Sequence, residues 1–517
     1  MSLFTLIAFA FACAAAYYVC PLRFRWMLLL LVSYVYYAYC GMSALPFILL
    51  TTLSTWAGAL VIGRIGEKSK TELKARKAEL DAAGKKALKA AAKKKQRIVF
   101  YLTLMLNFGV LALLKYTSPV LAAVGRPALN LVLPLGISFY TFQSMGYLID
   151  VYGGKYAPEK NPAKFALFVS FFPQLIQGPI ARHDQLANQL LEPHRFDWEN
   201  IHRGALLMLW GFFKKKVIAD RALPLVDTVF ANQGEYGGAV IVIAVLFYSL
   251  QQYCDFSGGI DLVTGIAELF GVRLAPNFRQ PYFSVSLGDF WRRWHISLGG
   301  WMRDYVFYPF ALTKPVAKLS KAAKKLFGTE FSRALPAALG NILVFLLVGI
   351  WHGASMNYVL WGLYNGLILA MSALLEPVYK KTNERLGDIV KTRAFYVYRV
   401  LRTFVIVNIG WYFDRCLRAG DAFEMLRKTV FEPHIHQLSD GTLLSFGLKP
   451  IDFSYLAVST AILFAVSVLR ERGVSVRSRV LALPVVPRVI LLYAFMYFVL
   501  AAFYIGSSNA GFMYAIF

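Results

Sequence analysis

Charge is scarce in this sequence: Asp, Glu, Lys and Arg make up 16% of its 517 residues, where ordinary soluble domains carry about a quarter. With 58% hydrophobic and 15% aromatic residues, a water-exposed fold would present more apolar surface than solvent tolerates. A cytosolic enzyme and a disordered protein are therefore excluded. Cysteine is scarce too. Cys13, Cys20, Cys40, Cys254 and Cys416 form no C-x-x-C pair and no metal-ligand spacing, so neither a disulfide framework nor a metal site is expected. There is no G-x-S-x-G elbow, no Walker glycine loop, no H-E-x-x-H zinc helix and no repeat of fixed period.

What is abundant is basic charge and long apolar runs. Lys and Arg outnumber Asp and Glu by 55 to 29. A nucleic-acid partner would need an exposed basic face, whereas a membrane protein collects such an excess in cytoplasmic loops beside anionic headgroups. No nucleic acid is expected, and membrane lipid is. A spanning helix needs ~20 mostly apolar residues to cross ~30 Å of hydrocarbon, and runs of this kind recur from Leu3–Val19 to Val489–Ile505. The first lacks the basic flank and cleavage site of a signal peptide and reads as a retained span. Others are interrupted, as at Leu133-Pro134-Leu135-Gly136 and Phe171-Phe172-Pro173-Gln174. Such breaks survive in lipid only where protein or a water-filled cavity covers the freed backbone. The expected fold is all-α and integral to a membrane, with about ten or eleven transmembrane helices plus re-entrant pieces around an internal cavity.

Orientation follows from the short loops. Arg23 and Arg25 sit in the turn Cys20–Arg25, and the segment Arg64–Arg97 holds thirteen basic residues against four acids. Positive-inside placement puts the N-terminus outside and Arg64–Arg97 in the cytoplasm, as one or two helices lying on the inner leaflet. The basic stretches Lys314–Lys325 and Arg470–Arg479 read as cytoplasmic as well.

Two segments carry polar chemistry. Tyr253–Phe310 is too polar for a simple span and too aromatic for a solvated loop, and it gathers Asp289, Trp291, Arg292, Arg293, Trp294, His295, Ser297, Trp301, Arg303, Asp304 and Tyr305. An amphipathic interfacial helix would have the same composition. The second segment is Gly349–Tyr358. Ala334–Leu375 runs 42 residues without Asp, Glu, Lys or Arg, with His352 near its centre. That is two passes, with His352 at the turn between them or within the membrane at a helix broken by Gly353. An ionisable residue in such a setting is a functional candidate, although a helix-capping histidine fits the spacing too. Apolar surroundings disfavour the imidazolium, and Arg292 and Arg293 would do the same for His295. A neutral imidazole can take the proton of a hydroxyl that attacks an acyl carbonyl. The remaining histidines, His183, His194, His202, His434 and His436, read as solvated or interfacial.

At these residues the sequence resembles the membrane-bound O-acyltransferase family, and within it the bacterial branch of alginate O-acetylation proteins and D-alanyl transferases of teichoic acids. The motifs occur in order: Leu133–Gln143 (LPLGISFYTFQ), Phe172-Pro173, Gly178-Pro179-Ile180, Asp255-Phe256-Ser257-Gly258, Asn277-Phe278, Pro281-Tyr282, Phe290–Leu298 (FWRRWHISL) and Trp351-His352-Gly353. The resemblance implies a ring of membrane helices around a central tunnel, with the acyl donor entering from the cytoplasm and a hydroxyl acceptor from outside. It implies one polytopic membrane domain over residues 1–517, with the basic loop at 64–97, the catalytic core at 131–370 and C-terminal helices at 398–517.

The resemblance also makes His352 the catalytic base and His295 a second catalytic group at the donor side. Substrate or donor contacts then fall to Arg292, Arg293, Trp291, Trp294, Ser297, Asp255, Asn277 and Trp351. The two arginines would hold the anionic part of the donor, or else orient the segment at the headgroups. No bound cofactor is expected; the donor is acetyl-CoA or an acyl-carrier thioester. The reading is a short acyl group, acetyl first, moved across a bacterial cytoplasmic membrane to a cell-surface polysaccharide. A relay partner of the extracellular acyltransferase or esterase-like kind, or a carrier protein, belongs to the same reading. After the R-D-Y motif the chain reads Tyr308-Pro309-Phe310-Ala311-Leu312-Thr313, where alginate-type members commonly continue Tyr-x-Pro-Leu-Gly-Gly. D-alanyl transfer to teichoic acid is therefore the alternative within this chemistry. A lipid acyltransferase and, in another class, a transporter complete the set.

Overall fold

The structure, a computed structural model, describes residues 3–129, 131 and 133–505. Asn130, Val132, which falls inside the expected span Leu131–Leu148, and the residues after Ile505 lie outside the described residues. Among the described residues the architecture is helical, and the only extended pairing is an isolated antiparallel bridge between Phe278 and Trp294. Among the described residues six helices are long and apolar enough to cross a membrane: Met42–Ala75, Ala82–Ala123, Gly238–Leu269, Lys314–His352, Pro450–Glu471 and Val485–Ile505. The pair Met356–Leu374 and Glu376–Lys391, bent by 62° at the join, passes the same test only when taken together, as one broken span or a re-entrant loop. Leu3–Val19 is apolar but shorter.

The described residues form two compact units, one from 3–204 with Ile266–Ala275 and the other from Ala205–Gly265 with 276–505. In the first, the basic segment Arg64–Arg97 departs from expectation. It does not form separate helices on a leaflet but continues the helices Leu45–Ala75 and Ala82–Ala123 without a break. Ala, Lys and Glu are strong helix formers, and the Asp81 side chain caps the second helix by accepting from Gly84 N at 2.6 Å. At 1.5 Å per residue a 42-residue helix is roughly 63 Å long, about twice the hydrocarbon thickness. The basic ends thus project beyond the lipid.

The interrupted run at Phe171–Gln174 becomes two short buried helices, Pro162–Ser170 and Phe172–Gln177. The Gln174 amide serves the break by donating to the Pro179 carbonyl at 3.0 Å and to Gln143 Oε1.

The second unit contains every candidate catalytic residue. Helix Gly238–Leu269 runs straight through Tyr253, so the first part of the polar segment Tyr253–Phe310 is the continuation of a span. Within Lys314–His352 the backbone leaves helical geometry at Gly328, whose φ of 85° favours glycine. Ser320 Oγ donates to the Ser332 carbonyl at 2.6 Å and Ser332 Oγ donates to that of Ser320 at 2.8 Å. In a continuous helix residues this far apart would lie roughly 18 Å from each other. The basic stretch Lys314–Lys325 is therefore the first arm of a helical hairpin, folded back on the arm that leads to His352.

Candidate active site

His352 is the last residue of helix Lys314–His352, and Gly353 turns the chain into helix Met356–Leu374. Of the two placements the sequence allowed, the structure takes the turn. The two helices approach at backbone distance because glycine faces the contact: a methyl group at Gly349 would strike the Tyr358 carbonyl oxygen, and one at Gly362 the carbonyl of Phe345. Small residues at helix crossings permit this closeness in membranes. The His352 ring then lies among aromatic rings, 4.9 Å from Trp351, 5.2 Å from Trp361 and 5.8 Å from Tyr358, with which it stacks at 23°.

His295 is placed by a break. Leu287–Arg293 and Ile296–Met302 are short helices, not one interfacial helix, and His295 joins them with φ 46° and ψ 53°. This left-handed conformation is costly for a side chain bearing Cβ and clusters at functional sites. Asn277 holds it. Ile296 N donates to the Asn277 carbonyl at 3.0 Å, while Asn277 Oδ1 accepts from Ser297 N at 3.0 Å and Ser297 Oγ at 2.9 Å. A backbone N–H can only donate, so that oxygen is fixed as Oδ1. His295 Nδ1, 3.2 Å away, must then carry the ring proton, and Nε2 keeps the lone pair. Burial pushes the His295 pKa down to about 3, so the ring is neutral at pH 7. Desolvation does this, not the adjacent guanidinium groups as expected from sequence: Arg292 is exposed, and Arg293 is bound to acids.

Both histidines line one cavity of about 510 Å³. Trp291, Trp294, Trp361 and Trp411 supply its aromatic walls, and Arg292 and Arg303 lie at exposed positions of its lining. Trp291 is held by its indole N–H, which donates to Asn365 Oδ1 at 3.1 Å, while Asn365 Nδ2 donates back to the Trp361 carbonyl at 2.9 Å. The Trp361 indole N–H is buried with no hydrogen-bond partner among the described residues.

Of the expected site residues, His352, His295, Trp291, Trp294 and Arg292 line the cavity. Asn277 and Ser297 stand behind His295. Trp351 packs against His352 outside the lining. Arg293 is turned away, paired with Glu471 at 2.8 Å and Asp289 at 3.1 Å. Asp255 is ion-paired with Lys215 in a buried network, where Lys215 also meets Asp220 at 2.9 Å, Lys214 meets Asp261 at 2.7 Å and Arg221 meets Asp452 at 2.9 Å. These pairs tie the π-helical turn Phe213–Ala219, with the helix that follows it, to Gly238–Leu269 and Pro450–Glu471.

Sequence reasoning missed Gln252, Asp414 and Trp411, which also line the cavity. The available signal was an acid directly after the apolar run Val400–Phe413. No group of three or more His, Cys, Asp or Glu side chains among the described residues could hold a metal ion.

Comparison with known proteins bears on the same region. A model of the membrane-bound O-acyltransferase family matches residues 159–391, a range that includes His295 and His352. The chain is 34% identical over 409 residues to the probable alginate O-acetylase AlgI of Pseudomonas syringae pv. tomato, covering 76% of this chain and 68% of that one. It is 30% identical over 367 residues to the peptidoglycan O-acetyltransferase of Helicobacter pylori, covering 65% of each. It is 27% identical over 297 residues to the teichoic acid D-alanyltransferase of Bacillus subtilis, covering 56% of this chain and 70% of that one. With two histidines meeting in one cavity inside the matched region and relatives of this identity along most of its length, the chain belongs to the membrane-bound O-acyltransferase family.

Proposed function

We propose that this protein transfers an acetyl group from a cytoplasmic thioester to a hydroxyl of a cell-surface polysaccharide, or to a relay partner that completes the transfer, and that the His352–His295 cavity is where it does so. The observation that carries the reading is the convergence of two histidines from distant segments on one aromatic-walled cavity. His352 takes the proton of the acceptor hydroxyl as its oxygen attacks the thioester carbonyl. The new C–O bond forms, the C–S bond breaks, and the proton passes to the leaving thiolate. His295, with its lone pair held at Nε2, accepts a hydrogen bond from the donor and orients it. The Trp361 N–H, which has no acceptor among the described residues, suits the oxyanion that develops on the carbonyl.

Arg292, whose side chain is 72% exposed, meets the anionic part of the donor, while Arg293 serves the fold. In this reading the protein is a multi-pass protein of a bacterial cytoplasmic membrane, with ten or eleven helices ringing the tunnel, the N-terminus outside and the basic hairpin ends inside. The acetyl donor is favoured because relatives named as O-acetylating enzymes match more of this chain, at higher identity, than the D-alanyltransferase does.

Purified protein supplied with labelled acetyl-CoA or with a D-alanyl-charged carrier protein tests the donor. Label should leave acetyl-CoA, with Arg292→Ala raising its KM about 3- to 10-fold, as expected for one exposed charged hydrogen bond. Turnover of the charged carrier alone would assign the D-alanyl alternative.

A further inference from the structure

The turn that carries His352 is clasped to the end of another helix. Beyond Gly353, the segment Ser355–Tyr358 bonds at three points to the C-terminal end of helix Arg393–Arg415 and the residues after it. Ser355 Oγ donates to the Leu417 carbonyl at 3.2 Å, and the Asn357 side-chain amide donates to the carbonyls of Phe413 at 3.0 Å and Cys416 at 2.8 Å. Tyr358, next to Asn357, stacks on the His352 ring. The clasp thereby brings Asp414, which lies between the bonded carbonyls in sequence, to the side of the His352 turn.

Asp414 lines the same cavity as His352 and is 8% exposed. Its Oδ2 accepts hydrogen bonds from two neutral donors, the Tyr248 hydroxyl at 2.6 Å and Gln252 Nε2 at 2.9 Å. Burial pushes its carboxyl up to about 6, against the effect of these two bonds, which leaves it ionised at pH 7. Among the described residues no cation is ion-paired with it. Arg415, next in sequence, is turned to Asp227, and the two arginines of the cavity lining, Arg292 and Arg303, meet Asp289 and Asp304.

A carboxylate taken largely out of water without a cation beside it is costly to keep. In return its field is weakly screened, and it reaches across an aromatic-walled space of about 510 Å³. Any cation that forms inside the cavity is stabilised by it. The acyl transfer described above forms one: His352 becomes an imidazolium when it takes the proton of the acceptor hydroxyl and remains so until that proton passes to the leaving thiolate. The oxyanion formed in the same step has the opposite sign, and in that reading it is met by the Trp361 N–H.

We propose that Asp414 is the counter-charge of His352, a positioning residue whose fixed carboxylate stabilises the imidazolium through space and does not itself accept the proton. The inference rests on the acyltransferase reading of the cavity and adds to it a residue that acts through the base.

The test uses purified full-length protein with labelled acetyl-CoA and oligosaccharides of alginate and peptidoglycan type, with turnover expressed per folded molecule counted by size-exclusion chromatography. Asp414→Asn keeps the oxygen that accepts from Tyr248 and Gln252 and removes only the charge. It should lower kcat about 10- to 100-fold, the loss of one or two pKa units of imidazolium stabilisation, and leave the KM for acetyl-CoA within about 2-fold of the wild type. Asp414→Glu, which restores the charge, should regain most of that loss. In a His352→Ala background the further change Asp414→Asn should cost less than about 2-fold, because residues that act as a unit are not additive. The proposal is overturned by an Asp414→Asn protein with wild-type kcat, by an effect confined to KM, by a Glu variant as impaired as the Asn one, or by the same loss with and without His352. A wild type that cleaves no thioester would overturn the acyltransferase reading itself, and is distinguished from these outcomes because it shows no turnover before any substitution.

Discussion

Replacing His352 with Ala is expected to lower acyl transfer by about 10²- to 10⁴-fold, the range for loss of a positioned general base, while the protein remains folded. The imidazole stands in the wall of an existing cavity and packs against Trp351, Tyr358 and Trp361. Removing it enlarges a space that is already there and leaves no buried charge unpaired, so the helix pair Lys314–His352 and Met356–Leu374 keeps its glycine-mediated contact. Size-exclusion chromatography of the detergent-solubilised variant checks the fold, and transfer of label from a thioester donor checks the activity. A variant that is folded and fully active would remove His352 from the chemistry.

The largest effect on stability is expected at Lys215. Its ammonium group is buried between Asp220 and Asp255, each less than a tenth exposed. Replacing it with Met retains the volume but leaves two carboxylates sharing one cation fewer, with Lys216 still beside Asp220 at 2.6 Å. Breaking a buried pair from one side costs about 3–5 kcal/mol, a large part of the 5–15 kcal/mol that holds most domains. Lys215→Met should therefore fail to survive heating that the wild type tolerates. Adding Asp255→Asn should restore much of the loss, because the uncompensated charge goes with it. If Asp255 instead bound substrate, Asp255→Asn would reduce activity with Lys215 intact and would not rescue the Lys215 variant. Residual folded fraction after a temperature ramp, for both single variants and the double, separates the two.

The sequence made the chemistry of this protein legible where a residue type was improbable in its surroundings. His352 stood out because it sits near the centre of 42 residues without Asp, Glu, Lys or Arg, and His295 because it follows a dense Trp/Arg segment. Their meeting in one cavity was not legible, since a separation of 57 positions fixes no distance. Arg293 and Asp255 have the composition of a ligand site, yet each is occupied by a partner far along the chain, Glu471 and Lys215. Composition cannot distinguish a charge waiting for substrate from one already paired. Asp414 shows the reverse case: one acid after an apolar run looks like the end of a span, and only the structure places it, held by Tyr248 and Gln252, in the lining of the cavity. The helical character of the apolar runs was clear. The fold-back at Gly328 was not, because one glycine in a Lys/Ala-rich stretch resembles a tolerated helix interior.

The cavity shared by His352 and His295 is proposed as the place where the acyl group reacts. Determining the structure of the protein with a non-hydrolysable thioether analogue of its acyl donor tests this most directly. The acyl end of the analogue is expected within the cavity, its carbonyl within hydrogen-bond reach of the groups around His352 and its anionic end toward Arg292. An analogue bound at another site, with the cavity between the two histidines empty, would contradict it.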